Sequence, residues 1–197
     1  MKLDKVLVIG NGESRKNLNL NNSKIYKIGC NAIARDTDVQ DVICVDKKIL
    51  QEVTAIQTLS ANIYTRIRLQ SCANFKTLPL PMLPYTGNLR EDDPTHWGSG
   101  SYAVLLAAMK SKTVIMLGFD LYGIDSKINN CYKNTHCYNA ADYRAVDPRY
   151  WIYQIGKVFC CFPETKFYIY QTADWQLPSR WQLPNIFLDN IDNFPYN

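Results

Sequence analysis

Val6-Leu7-Val8-Ile9-Gly10 runs directly into Asn11-Gly12-Glu13-Ser14, and the reading of this junction decides the fold. An unbroken apolar run with β-branched residues suits a strand covered on both faces, the environment of a parallel sheet. The glycines after it permit tight backbone geometry, and Ser14 is placed to cap a following helical turn. The pattern recurs downstream. Lys24 to Gly29 reads as a second strand ending at Cys30-Asn31, and Val42 to Val45 as a third ending at Asp46. Ile49 to Leu59 reads as a helix and Ala61 to Arg68 as another strand. Strands that each end in a polar residue, in such quick succession, form an α/β pattern.

Residues 70–97 break that rhythm, with Pro79, Pro81, Pro84, Gly87 and Pro94. An irregular excursion of this length covers a site or wraps an edge. Regularity returns at Gly98-Ser99-Gly100-Ser101, which precedes a helix over Tyr102 to Met109. Thr113 to Gly118 is the most hydrophobic strand and the expected sheet centre. Residues 125–148 are polar and aperiodic. Arg149 to Phe162 reads as an amphipathic helix ended by Pro163, and Phe167 to Tyr170 as the last strand. Beyond it, Trp175 to Pro178 and Trp181 to Pro184 repeat Trp-Gln-Leu-Pro at too short a period for a solenoid. The expected architecture is an open, mostly parallel sheet with helices on both faces over 1–172. A tail over 173–197 packs its aromatics on the domain or on a partner subunit, as a homo-oligomer contact.

A length of 197 residues suits one well-buried core. Net charge is +4, but no run of Lys and Arg exceeds two residues, so a nucleic-acid footprint is not indicated. The 13 tyrosines suit a half-buried core or a polar-lined pocket. Seven cysteines stand at irregular spacings without a CxxC knuckle. Reduced, mostly buried thiols in a cytoplasmic setting are the simplest account, against a zinc trio of Cys131, His136 and Cys137, and no metal site is expected. No segment has the length of a signal or of a membrane-spanning helix.

Open α/β sheets bind ligands beyond the carboxyl ends of their strands. The residues to inspect are therefore Gly10, Asn11, Gly12 and Ser14; Asn31; Asp46; and Asp120 with Tyr122. The first turn departs from GxGxxG because Arg15 stands where the last glycine belongs, and it lacks a P-loop lysine. It is a nucleotide cradle or simply a tight β-to-α turn. Ser99, Gly100 and Ser101 at a helix start offer an anion site or an ordinary N-cap. Asp46 meets a ribose hydroxyl or a metal, or pairs with a neighbouring lysine. Asp120 is either functional or an organiser of its own turn. His136, in a polar loop, has the chemistry of a general base, with His96 as its competitor.

Together, Val8-Ile9-Gly10-Asn11-Gly12-Glu13-Ser14, Cys30-Asn31-Ala32, Ser99-Gly100 and Leu117-Gly118-Phe119-Asp120-Leu121-Tyr122 resemble the bacterial sialyltransferases of the Campylobacter lipooligosaccharide type. The wider Rossmann-like set includes motility accessory proteins and hydroxymethylpterin pyrophosphokinases. The resemblance spans residues 6–123. It implies a CMP-linked sugar donor and no metal. Asn11 and Asn31 would hold the nucleotide, and Ser99 and Gly100 would line its pocket. Tyr122 would bind the leaving phosphate, and a later histidine, here His136, would serve as base. The chain departs from the family at Thr95-His96-Trp97, where an arginine is expected, and the second phosphate-binding tyrosine is Tyr132 or Tyr138.

Three functions follow as expectations. The first is a glycosyltransferase acting on a nucleotide-sugar substrate, without further cofactor. The second is a Mg²⁺-dependent pyrophosphokinase-like enzyme using Asp46 or Asp120. The third is a nucleotide-binding or structural module attached through its tail. The acceptor is not named by any motif.

Overall fold

In the computed structural model, which describes residues 2–56 and 59–196, eight strands form one sheet. In chain order they are β1 (Leu3–Ile9), β2 (Tyr26–Cys30), β3 (Asp41–Cys44), β4 (Asn62–Thr65), β5 (Leu78–Pro79), β6 (Ser111–Leu117), β7 (Lys166–Gln171) and β8 (Ile186–Asn190). The helices are α1 (Lys47–Val53), α2 (Ser99–Lys110) and α3 (Arg149–Cys161). The spatial order is β5-β4-β3-β2-β1-β6-β7-β8, and every neighbouring pair is parallel. This is the expected Rossmann-like open sheet. The chain steps outward from β1 to β5, returns to the other side of β1 as β6, and steps outward again.

The alternation within the central strands explains the two covered faces. Val6 and Val8 of β1, with Val114 and Met116 of β6, pack under α2 and α3. Leu7 and Ile9, with Ile115 and Leu117, face the opposite side, in the same apolar layer as Ile49, Leu50 and Val53 of α1. A stretch buried on both faces needs apolar residues at every position, which is what residues 6–9 of β1 and 114–117 of β6 carry. At the amino end of the sheet, the wholly buried Asp41 accepts hydrogen bonds from Tyr26 and Asn62 and an ion pair from Lys110. These contacts tie β2, β3 and β4 to the end of α2.

Several expectations are corrected. The helix predicted over Ile49 to Leu59 begins at Lys47 and gives way to turns after Val53, and residues 57–58 lie outside the described part. The strand predicted to Arg68 stops at Thr65 and continues as a 3₁₀ turn over Ile67–Cys72. Helix α2 starts at Ser99, so Ser99, Gly100 and Ser101 belong to its first turn and Gly98 is the N-cap. β6 is not the middle strand, because β2 and β1 form the central pair and β6 flanks β1. Residues 70–97 do wrap an edge: they supply β5, a two-residue edge strand whose proline suits an unpaired margin.

β7 is not the last strand either. The chain beyond it crosses α3 and adds β8 in parallel to β7. Trp181 is wholly buried, donates from Nε1 to the Ile152 carbonyl at 2.8 Å, and stands edge-on to Phe159 at 5.2 Å. Asn185 bonds the carbonyls of Phe159, Phe162 and Thr165, closing the end of α3. The aromatic tail therefore packs on its own chain. Replacing Trp181 with Ala removes a fully buried tryptophan from this layer and should cost about 3–5 kcal/mol. A urea denaturation midpoint unchanged from wild type would contradict that packing role.

Candidate functional site

The sheet divides between β1 and β6, and the turns after these strands lie against each other. The Gly10 amide donates to Leu117 O and the Gly12 amide to Gly118 O, both at 2.8 Å. Gly118 has φ +68°, and a Cβ there would meet the Gly10 carbonyl oxygen at 2.8 Å. A Cβ on Gly12 would lie 2.2 Å from the Asp120 carboxyl carbon. That carboxylate accepts the Ser14 amide at 2.9 Å, the Ser14 hydroxyl, and Gln171 Nε2 at 3.2 Å. Asp120 thus binds the ends of β1, β6 and β7 together. Three hydrogen bonds engage its two oxygens, as an organiser of this turn requires.

A cavity of about 370 Å³ opens over this junction. Gly10, Asn11, Gly12, Asn31, Asp46, Ser99, Gly100, Ser101, Asp120 and Tyr122 all line it. Asn31 sits at φ 54° where β2 ends, and its Oδ1 accepts the Ser99 hydroxyl at 2.7 Å. The Ser99 oxygen in turn accepts the Val45 amide at 3.2 Å. Ser101 is wholly buried and bonds Gln154 of α3. The first turn of α2 holds no acidic residue and has no side-chain cap, so its amides and dipole favour an anion. Asp46 is the N-cap residue of α1, yet its carboxylate does not cap the helix.

Asn11 is the most informative side chain. Its Nδ2 donates to the Tyr138 hydroxyl at 3.1 Å, while its Oδ1 is buried without a hydrogen-bond partner among the described residues. A buried polar atom left unpaired costs about 1–3 kcal/mol, so this oxygen favours a molecule in the cavity that can donate to it. Of the two tyrosines left open by the sequence, Tyr138 lines the cavity. Tyr132 lies beneath it, bonded to Arg15 and Asp36. Burial pushes the hydroxyls of Tyr122 and Tyr138 upward, so both remain protonated at neutral pH.

Ser14 and His136 are not on this lining. Ser14 faces an adjoining cavity with Glu13, Gln171 and Trp175. The His136 side chain is 83% exposed and its Nδ1 lies 3.1 Å from Glu52. His96 is also elsewhere, edge-on to Tyr150 of α3. Cys131 donates toward the Gly12 carbonyl and takes no part with His136 and Cys137. Only Cys30 and Cys44 are fully buried; Cys160 is exposed, and no pair is bridged.

Arg15, read from sequence as the residue that spoils a glycine motif, is 4% exposed. Its Nε donates to the Gly10 carbonyl at 2.6 Å and its terminal nitrogen to the Tyr132 hydroxyl at 2.9 Å. An arginine directly after a glycine turn was the available signal. Phe119, within the motif that follows β6, and Trp151 of α3 also line the cavity, and only Trp151 was hidden by its separation from the strand-end motifs.

No protein-family profile matches the chain, and no curated protein does. Among solved structures it is similar to the monofunctional α-2,3-sialyltransferase Cst-I from Campylobacter jejuni, with a TM-score of 0.53 and 15% identity. The match covers 98% of this chain and 82% of that one. At this identity the likeness establishes the shared fold.

The contact between the two turns gives a direct test. Gly118→Ala forces a side chain into a left-handed backbone against the Gly10 carbonyl and should lower stability by about 1–3 kcal/mol. Chemical denaturation of the variant checks it, and an unchanged midpoint would show that the turns can separate freely.

Proposed function

We propose that the chain binds a nucleotide-sugar in the cavity between β1 and β6 and transfers the sugar to an acceptor hydroxyl. The observation that carries this reading is the unpartnered Asn11 Oδ1 on the floor of the cavity. It calls for a ligand N–H or O–H, as a base amino group or ribose hydroxyl supplies. The first turn of α2 faces the same space and suits the phosphate. The shared fold with a sialyltransferase favours a CMP-linked donor among nucleotide-sugars.

In this proposal the acceptor oxygen attacks the anomeric carbon and forms the new glycosidic bond. The bond from that carbon to the phosphate oxygen breaks, and its electron pair leaves with the nucleotide. Protonated Tyr122, on the lining, donates a hydrogen bond to the departing phosphate, an interaction that strengthens as charge develops. The acceptor proton passes to Asp46, the exposed carboxylate on the lining. We assign the base there because His136, expected from sequence, is turned away toward Glu52.

A thermal-shift series with CMP, CDP, UMP, UDP, GDP and ATP, with and without Mg²⁺, tests the binding. Saturation at about a hundred times Kd should add about 2.7 kcal/mol of stability. Asn11→Ala should weaken binding about five- to tenfold, the equivalent of one hydrogen bond. Metal-independent stabilisation by CMP is the expected result, and no stabilisation by any of the six would overturn the reading. Asp46→Asn should abolish transfer while leaving the nucleotide-induced shift in place; full turnover in that variant would move the base elsewhere.

A further inference from the structure

On the opposite side of the sheet from α2, three side chains with ligand chemistry converge away from the cavity. Glu52 comes from the last turn of α1, and His136 and Cys137 from the loop that follows β6. His136 Nδ1 lies 3.1 Å from Glu52 Oε2 and 3.1 Å from Cys137 Sγ. One oxygen, one nitrogen and one sulfur donor thus fall within 4.8 Å of one another. We infer that Glu52, His136 and Cys137 form a binding site for a transition-metal dication, with zinc the best match.

The chemistry of the donor set selects the ion. Thiolate with imidazole favours zinc over magnesium or calcium, which take oxygen ligands. With Zn–S about 2.3 Å and Zn–N or Zn–O about 2.0–2.1 Å, tetrahedral donors stand roughly 3.3–3.6 Å apart. The two observed contacts need to open by only a few tenths of an ångström. The high exposure of His136 leaves a fourth position for water.

The surroundings hold the donors in place. Arg35 Nε bonds Glu52 Oε1 at 2.6 Å, which leaves Oε2 turned to the histidine. The same guanidinium bonds Thr135 Oγ1 at 2.6 Å and the His136 carbonyl at 2.8 Å. Arg35 therefore positions both sides of the cluster, as the outer shell of a metal site does. The Cys137 backbone lies at φ 68°, a conformation that persists for a side-chain-bearing residue only where its surroundings impose it. On binding, the Cys137 thiol releases its proton to solvent and the ion takes the thiolate. The bound ion would clasp the loop to α1 one residue before Tyr138, which bonds Asn11.

The test uses the full chain carrying Cys160→Ser and Cys161→Ser, so that the adjacent thiols at the end of α3 do not compete. After chelator treatment, Zn²⁺ uptake is measured against a chromophoric chelator and Co²⁺ is added as a spectroscopic probe. One equivalent of Zn²⁺ is expected, with a cobalt–thiolate charge-transfer band. Cys137→Ser should abolish that band, and Glu52→Gln should weaken zinc binding at least tenfold. Arg35→Gln should weaken it about tenfold through loss of carboxylate orientation. Circular dichroism establishes that each variant is folded. No saturable uptake, or a band that persists in Cys137→Ser, would overturn the site.

Discussion

The close approach of two backbone turns, after β1 and after β6, is the constraint on which the rest of the molecule depends. A parallel sheet that grows outward in two directions must have one place where neighbouring strands continue to opposite sides. There the loops diverge and leave a crevice. Small residues allow the turns to touch before they part, and Asp120 fastens them by accepting from Ser14 and Gln171. The cavity exists because this junction is tight below and open above.

Two arginines organise the loop that closes the cavity on one side. Arg15 lies under Tyr132 at 5.6 Å from the ring centroid, and Arg35 lies 5.4 Å from the same ring and 5.6 Å from Tyr138. A buried guanidinium is tolerated only where oxygen acceptors surround it. Arg15 finds Gly10 O and the Tyr132 hydroxyl, and Tyr132 passes the interaction to Asp36. Several of the many tyrosines thus act as spacers with a polar end, carrying contacts between the strand-end turn and the loop beyond β6. The same scaffold presents Tyr138 to the cavity and His136 and Cys137 to α1.

The legible parts of the fold were those buried on both faces. β1, β3 and β6 read directly as strands because no polar residue interrupts their buried stretches. β8 escaped notice for the opposite reason. Ile186–Asn190 is an edge strand with Phe187 and Leu188 partly exposed, and its aspartate and asparagine cut its apolar run short. Pairing with β7, with Tyr168 stacked on Phe187 at 4.9 Å, is what makes it a strand. The first turn of α2 was likewise masked by its glycine and serines, which read as the approach to a helix. Packing against α3 and β3 makes them helical.

The residues at the ends of β1, β2, β3 and β6 could be placed around one cavity from sequence because strand direction in a parallel sheet sends all of them to the same edge. Local pattern by itself determined that much: where the buried strands lie, and which small and polar residues follow them. Only the tertiary structure decided which loop residues join them. Asn11 meets Tyr138 across 127 positions of chain, and Arg15 meets Tyr132 across 117. The same long-range folding turned His136 from the cavity toward Glu52, 84 positions away. Strand periodicity is a local property of the backbone. The path of an aperiodic loop is set by the partners available to its side chains, and those belong to distant parts of the chain.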